Sequence, residues 1–121
     1  MYRGRSASEF RQQFYELLLQ AVKFAGGVGA RVIVLSIPDW GVTPFAAGRD
    51  NAKIAAEIDE FNTISQQEAA RLGVHWVDIT PASRDLQPDW VADDGLHPSG
   101  AQYAAWAAIA LPVVQAALNA Q

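Results

Sequence analysis

The sequence predicts an α/β domain built on parallel strands. Two observations predict it. Amphipathic helical segments alternate with strands in the order helix, strand, helix, strand, helix. The first strand, residues 31–37, is a short β-branched run without alternation, as expected where a sheet is covered on both faces. A length of 121 residues, half of them apolar, suits one domain with one packed core, spanning residues 1–121.

The first helix places Phe10, Phe14, Leu17, Ala21 and Phe24 on one stripe at three- and four-residue steps, with Arg11, Gln12, Gln13 and Glu16 turned away. Ser6 followed by Glu9 offers a capping box, Ser8 is the alternative cap, and Gly26-Gly27 supplies the exit. Residues 31–37, Arg-Val-Ile-Val-Leu-Ser-Ile, form the first strand, ending at Pro38. The loop from Pro38 to Gly48 carries Trp40 and Phe45 and is too apolar to be a solvated linker. A second helix from about Asp50 to Leu72 turns Ile54, Ile58, Phe61, Ala69 and Leu72 to the core, and Gly73 closes it. Residues 74–79 read as the second strand, leaving through Thr80-Pro81, and the segment from Ala82 to Asp93 reads as irregular. Pro98-Ser99 opens an alanine-rich helix to about Ala110, which Pro112 should stop or kink because it has no N–H to give residue 108. A right-handed crossover joins parallel strands in this order. Two strands make a small sheet, so further strands should come from elsewhere, including a second chain.

Composition narrows the function. Nine basic against 13 acidic side chains give a formal charge of −4, with no basic run to track phosphates, so no nucleic-acid partner is expected. The chain has no cysteine, which removes disulfides, thiolate metal sites and a cysteine nucleophile. Apolar stretches are broken by charge or proline short of the roughly 20 residues of a membrane helix, so no membrane partner is expected. Behind Met1, Tyr2-Arg3-Gly4-Arg5-Ser6 has no apolar region of the signal-peptide kind, which places the protein in the cytoplasm if that start is natural. No cofactor and no metal is expected; His75 has no second histidine at ligand spacing, and a lone strand histidine reads as packing.

The chemistry-bearing stretch is Asp94-Gly95-Leu96-His97-Pro98-Ser99. One loop can turn the Asp94 carboxylate onto the His97 imidazole, giving the base and the orienting acid of ester hydrolysis. The same residues also read as an Asp-Gly turn with His97 packing ahead of a helix. Lying after a strand ending Val77-Asp78-Ile79-Thr80 and before an apolar helix, the stretch resembles the last conserved block of SGNH/GDSL hydrolases. Residues 31–37 and 74–79 look like that family's fourth and fifth strands. Tyr2-Arg3-Gly4-Arg5-Ser6 is similar to the segment directly after the asparagine-bearing block in a bacterial branch of these esterases.

The resemblance implies a partial flavodoxin-like three-layer α/β/α fold, with two parallel strands and three main helices in this chain. It implies catalytic roles for His97 and Asp94 and a small ester as substrate. The family's Gly-Asp-Ser nucleophile block and its glycine- and asparagine-bearing oxyanion blocks do not occur in the 121 residues. The chain therefore corresponds to the C-terminal portion of such an enzyme, truncated relative to the family, with little or no activity expected alone. Ser36, at a strand end, is the best substitute nucleophile. Asp78 could approach a ligand or cap its loop, and Trp40 with Phe45 could line an acyl or sugar pocket or pack the loop. The other reading is a non-catalytic module that self-associates, as a homodimer or larger, through the 31–37 strand edge.

Overall fold

A computed structural model describes residues 6–120. Tyr2-Arg3-Gly4-Arg5, read above for its resemblance, lies outside them. The elements run α1 (Ala7–Phe24), β1 (Ile33–Leu35), α2 (Asn51–Arg71), β2 (His75–Val77), α3 (Thr80–Arg84) and α4 (Gly100–Leu118), with short 3-10 turns at Gly29–Arg31, Trp40–Val42 and Pro44–Ala46. The two strands pair in parallel, Ile33 opposite His75 and Leu35 opposite Val77. The fold is α/β, a partial SGNH-like architecture.

The side-chain period of the strands separates two cores. Val32, Val34, Val74 and Trp76 face one side and pack with Phe14, Leu18, Val22, Ala69 and Leu72 of α1 and α2. Ile33, Val77 and Ile79 face the other and pack with Trp106, Ala110, Val113 and Val114 of α4. The sheet is therefore sandwiched, which explains why the 31–37 run shows no polar alternation. Both strands are shorter than the 31–37 and 74–79 runs. Gly29–Arg31 is a 3-10 turn that passes so close to the end of α2 that a Cβ on Gly29 would lie 2.4 Å from the Leu72 carbonyl oxygen. At the other ends the Ser36 N–H still donates to the Val77 carbonyl at 2.9 Å, and beyond it side-chain hydrogen bonds of Ser36, Asp78 and Thr80 take over from the ladder.

Helix α1 starts as expected, the Glu9 N–H donating to the Ser6 hydroxyl at 3.2 Å. Its apolar stripe is only partly covered. Leu18 is buried, whereas Leu17 and Phe24 are 64 % and 86 % exposed. Arg11 does not turn away: it pairs with the buried Glu68, which Arg71 also engages at 2.6 Å. A buried carboxylate between two guanidiniums ties α1 to α2. On α2 the expected Ile58, Phe61 and Ala69 are buried, together with Ile64, Ser65 and Glu68.

Two expectations fail after β2. The start of the irregular segment is helical, because Pro81 suits the first turn of α3 and the Ser83 hydroxyl donates to the Thr80 carbonyl at 2.7 Å. Helix α4 does not end at Pro112 but continues to Leu118. Proline there removes one backbone bond, while Trp106 and Ala110 before it and Val113, Val114 and Ala117 after it pack on the same side, so tertiary contacts carry the helix through. With 19 residues and a mean hydropathy of 1.3, α4 is long and apolar enough to cross a membrane by length and composition, contrary to the expectation from sequence. Only 22 % of it is buried.

Candidate active site

Residues 90–99 form a small closed loop ahead of α4. Val91 and Pro98 meet in an antiparallel bridge, and the Ala92 and Ser99 N–H groups donate to the His97 and Trp90 carbonyls, each at 2.8 Å. At the tip the Gly95 N–H donates to the Ala92 carbonyl at 3.0 Å, and Gly95 takes φ +74, a left-handed conformation that a side chain would resist. The base of the loop is fixed to α4. The Ser99 hydroxyl caps that helix and donates to the Asp89 carbonyl at 2.5 Å, while the buried Gln102 amide donates to the Trp90 carbonyl at 2.7 Å. Ser99 and Gln102 stand in the spacing of a capping box, a signal readable in the sequence, although Gln102 reaches to Trp90 and not back to its own cap.

Within this loop the two readings of Asp94 coexist on one carboxylate. Oδ1 accepts from the Leu96 and His97 N–H groups, each at 2.9 Å, and makes the turn. Oδ2 lies on His97 Nδ1. The His97 hydrogen bond, followed by those two N–H groups, holds the Asp94 carboxyl down at about 2. Asp94 is therefore ionised at neutral pH and accepts from a proton on Nδ1, which leaves the Nε2 lone pair as the basic face. Nε2 has no protein partner among the described residues, and the His97 side chain is 70 % exposed. An imidazole so held can take a proton and hand it on; nothing among the described residues shields it from water.

Ser36 is not free to act as its nucleophile. It is 2 % exposed, donates to Asp78 at 3.0 Å, and accepts from the Ile79 and Thr80 N–H groups at 2.7 and 3.0 Å. It bolts together the ends of the two strands. Asp78 answers the Ser36 hydroxyl and the Thr80 N–H, and so caps its loop. His75 sits half-buried in β2, and no group of three or more possible metal ligands occurs among the described residues.

The 38–48 loop reaches the site. The Phe45 N–H donates to the Gly95 carbonyl at 3.0 Å, and Trp40, Leu96 and Pro98 border one small hollow. Trp40 and Phe45 meet edge to face at 6.1 Å, with Phe45 48 % exposed. Reading the sequence missed Arg49, whose guanidinium lies 5.6 Å from the Trp40 ring centroid and 4.9 Å from that of Phe45. The only cue was its position at the end of an aromatic loop.

No curated protein and no solved structure matches the chain. The model of the GDSL-like lipase/acylhydrolase family matches residues 1–105, a span that includes both strands, the 38–48 loop and the Asp94–His97 loop. The chain belongs to the GDSL-like lipase/acylhydrolase family.

Proposed function

We propose that the chain is the base-bearing, C-terminal portion of a serine ester hydrolase. His97 takes the proton of an attacking serine through Nε2 and returns it to the leaving alkoxide, while Asp94 fixes the imidazole and stabilises its protonated form. The observation that carries this reading is the contact of Asp94 Oδ2 with His97 Nδ1, leaving Nε2 open. Family membership supplies the reaction class. The serine and the oxyanion donors have no counterpart motif in the 121 residues, and a single such donor contributes about 3 kcal/mol to acyl transfer. Turnover by the chain alone is therefore close to background.

The test has two arms. The pure chain, given p-nitrophenyl acetate and a fluorophosphonate probe, should show neither turnover nor a labelled serine. Serine labelling that disappears on His97→Ala would overturn the inactivity. Mixed with the Gly-Asp-Ser-bearing half of a family member, with assembly verified by size exclusion, it should gain labelling that requires His97. An assembled mixture whose labelling ignores His97→Ala contradicts the assigned role.

A second reading, self-association, is favoured by the apolar surface beside β1. The far edge of β1 has no strand partner among the described residues, Leu35 is 43 % exposed, and Leu111 and Leu118 of α4 are 52 % and 80 % exposed. Two copies joined antiparallel at that edge would make a four-stranded sheet and cover these side chains. Light scattering at micromolar concentration should then give twice the chain mass; a stable monomer rules this reading out.

A further inference from the structure

We infer that Arg49 is the ligand-selecting group of this site, and that it favours esters carrying an oxyanion, a carboxylate or a phosphate, in addition to the scissile bond. The inference rests on the hydrolase reading of the Asp94–His97 loop and names the substrate class for it.

Five arginines fall among the described residues. Arg11 and Arg71 engage Glu68, Arg84 engages Asp39 and Asp59, and Arg31 reaches the Ala120 carbonyl. Of these five, Arg49 alone has no oxygen partner among the described residues; its guanidinium is held by ring faces. Such a contact orients the plane of the cation while leaving its N–H donors available at the edge. Neither the adjoining acid Asp50 nor the dyad acid Asp94 neutralises it. Asp50 caps α2 by accepting from the Lys53 N–H at 3.0 Å, and Asp94 is engaged by His97 and by two backbone N–H groups.

Placement makes this cation relevant to the site. Phe45, which carries Arg49 on its ring, donates its N–H to Gly95, the residue beside Asp94. A Cβ on Gly95 would come within 3.5 Å of Pro44. The aromatic support and the dyad loop are thus one continuous surface. A ligand whose ester group lies at His97 meets the Trp40–Phe45 face next, and two oxygens of a carboxylate or phosphate on that ligand find the fork of N–H donors that guanidinium presents.

The experiment is an NMR titration of the full chain, reading the Trp40 indole N–H and the Gly95 amide. The probes are monomethyl succinate, dimethyl succinate as its neutral counterpart, and methyl phosphate. Monomethyl succinate should shift both signals saturably and bind about fivefold tighter than the neutral diester, the scale of one exposed ion pair. Arg49→Gln should bring that ratio to about one, and Arg49→Lys should keep part of it. Tighter binding of methyl phosphate than of monomethyl succinate would assign the phosphate class, and the reverse order the carboxylate class. Equal affinity for the charged and neutral succinates, or a ratio unchanged in Arg49→Gln, overturns the inference. His97→Ala leaves the ratio intact, so charge selection that persists while the mixed-chain labelling fails would refute the hydrolase reading and not the anion site.

Discussion

The polar cluster at the strand ends and the one in the 90–99 loop each combine a carboxylate with hydrogen-bonding partners, and they are built in opposite ways. At the strand ends, Ser36, Asn62, Asp78 and Thr80 form a largely buried junction. The Asn62 amide donates to the Thr80 hydroxyl at 2.8 Å and its carbonyl accepts from the Ile37 N–H at 2.8 Å, while Ser36 serves Asp78, Ile79 and Thr80. In the 90–99 loop, Asp94 is also engaged through both oxygens, but its histidine partner stands in solvent with one nitrogen unpaired among the described residues. The first arrangement replaces the backbone ladder where the strands diverge. The second stabilises little and holds a proton acceptor in one orientation. A serine and an aspartate in contact do not make a reactive site; a group held firmly on one side and left open on the other can.

Substitutions can break this contrast. The largest effect should come from Ser36→Ala, which strands the buried Ile79 N–H and leaves the Thr80 N–H with Asp78 alone: a stability loss of about 1–3 kcal/mol in urea unfolding, with the titration of Asp94 unchanged. If Ser36→Ala leaves stability intact, the junction is not structural. His97→Ala should do the reverse, changing stability by no more than about 0.5 kcal/mol at neutral pH. The sign of its pH dependence comes from Asp94, whose folded carboxyl is held at about 2, below its unfolded value. The stabilisation is present above the unfolded value and is lost as pH falls through about 2. Removing His97 should move that loss to higher pH, read as the acid limb of stability against pH.

A third substitution, at Trp106, should also have a modest effect. Its indole N–H is buried without an acceptor among the described residues, so Trp106→Phe should cost less than the usual core truncation, about 1 kcal/mol or less by thermal melting. A loss of several kcal/mol would mean that the indole has a partner.

The layering and the dyad were legible because they are local. Apolar strand runs, helical spacing and an aspartate three residues before a histidine require no knowledge of distant contacts. What failed depends on tertiary packing. Arg11 reads as a solvent-facing residue until Glu68, 57 positions away, is brought under it. Pro112 reads as a helix end until the side chains on both sides of it share one sheet face. Leu17 and Phe24 read as core because periodicity reports amphipathicity, and it cannot report whether this chain supplies the surface that covers them. Arg49 had no pattern to reveal it, since its support comes from rings four and nine residues earlier in an irregular loop.

The central claim is that Asp94 is bound to the His97 ring and so presents Nε2 as a base. Following the Asp94 side-chain carboxyl carbon by NMR from pH 1 to 6 in the wild-type chain and in His97→Ala tests it directly. The account predicts a wild-type midpoint near 2 that rises toward the ordinary carboxylate range when the imidazole is removed. A wild-type midpoint already in that range and unmoved by His97→Ala would contradict it.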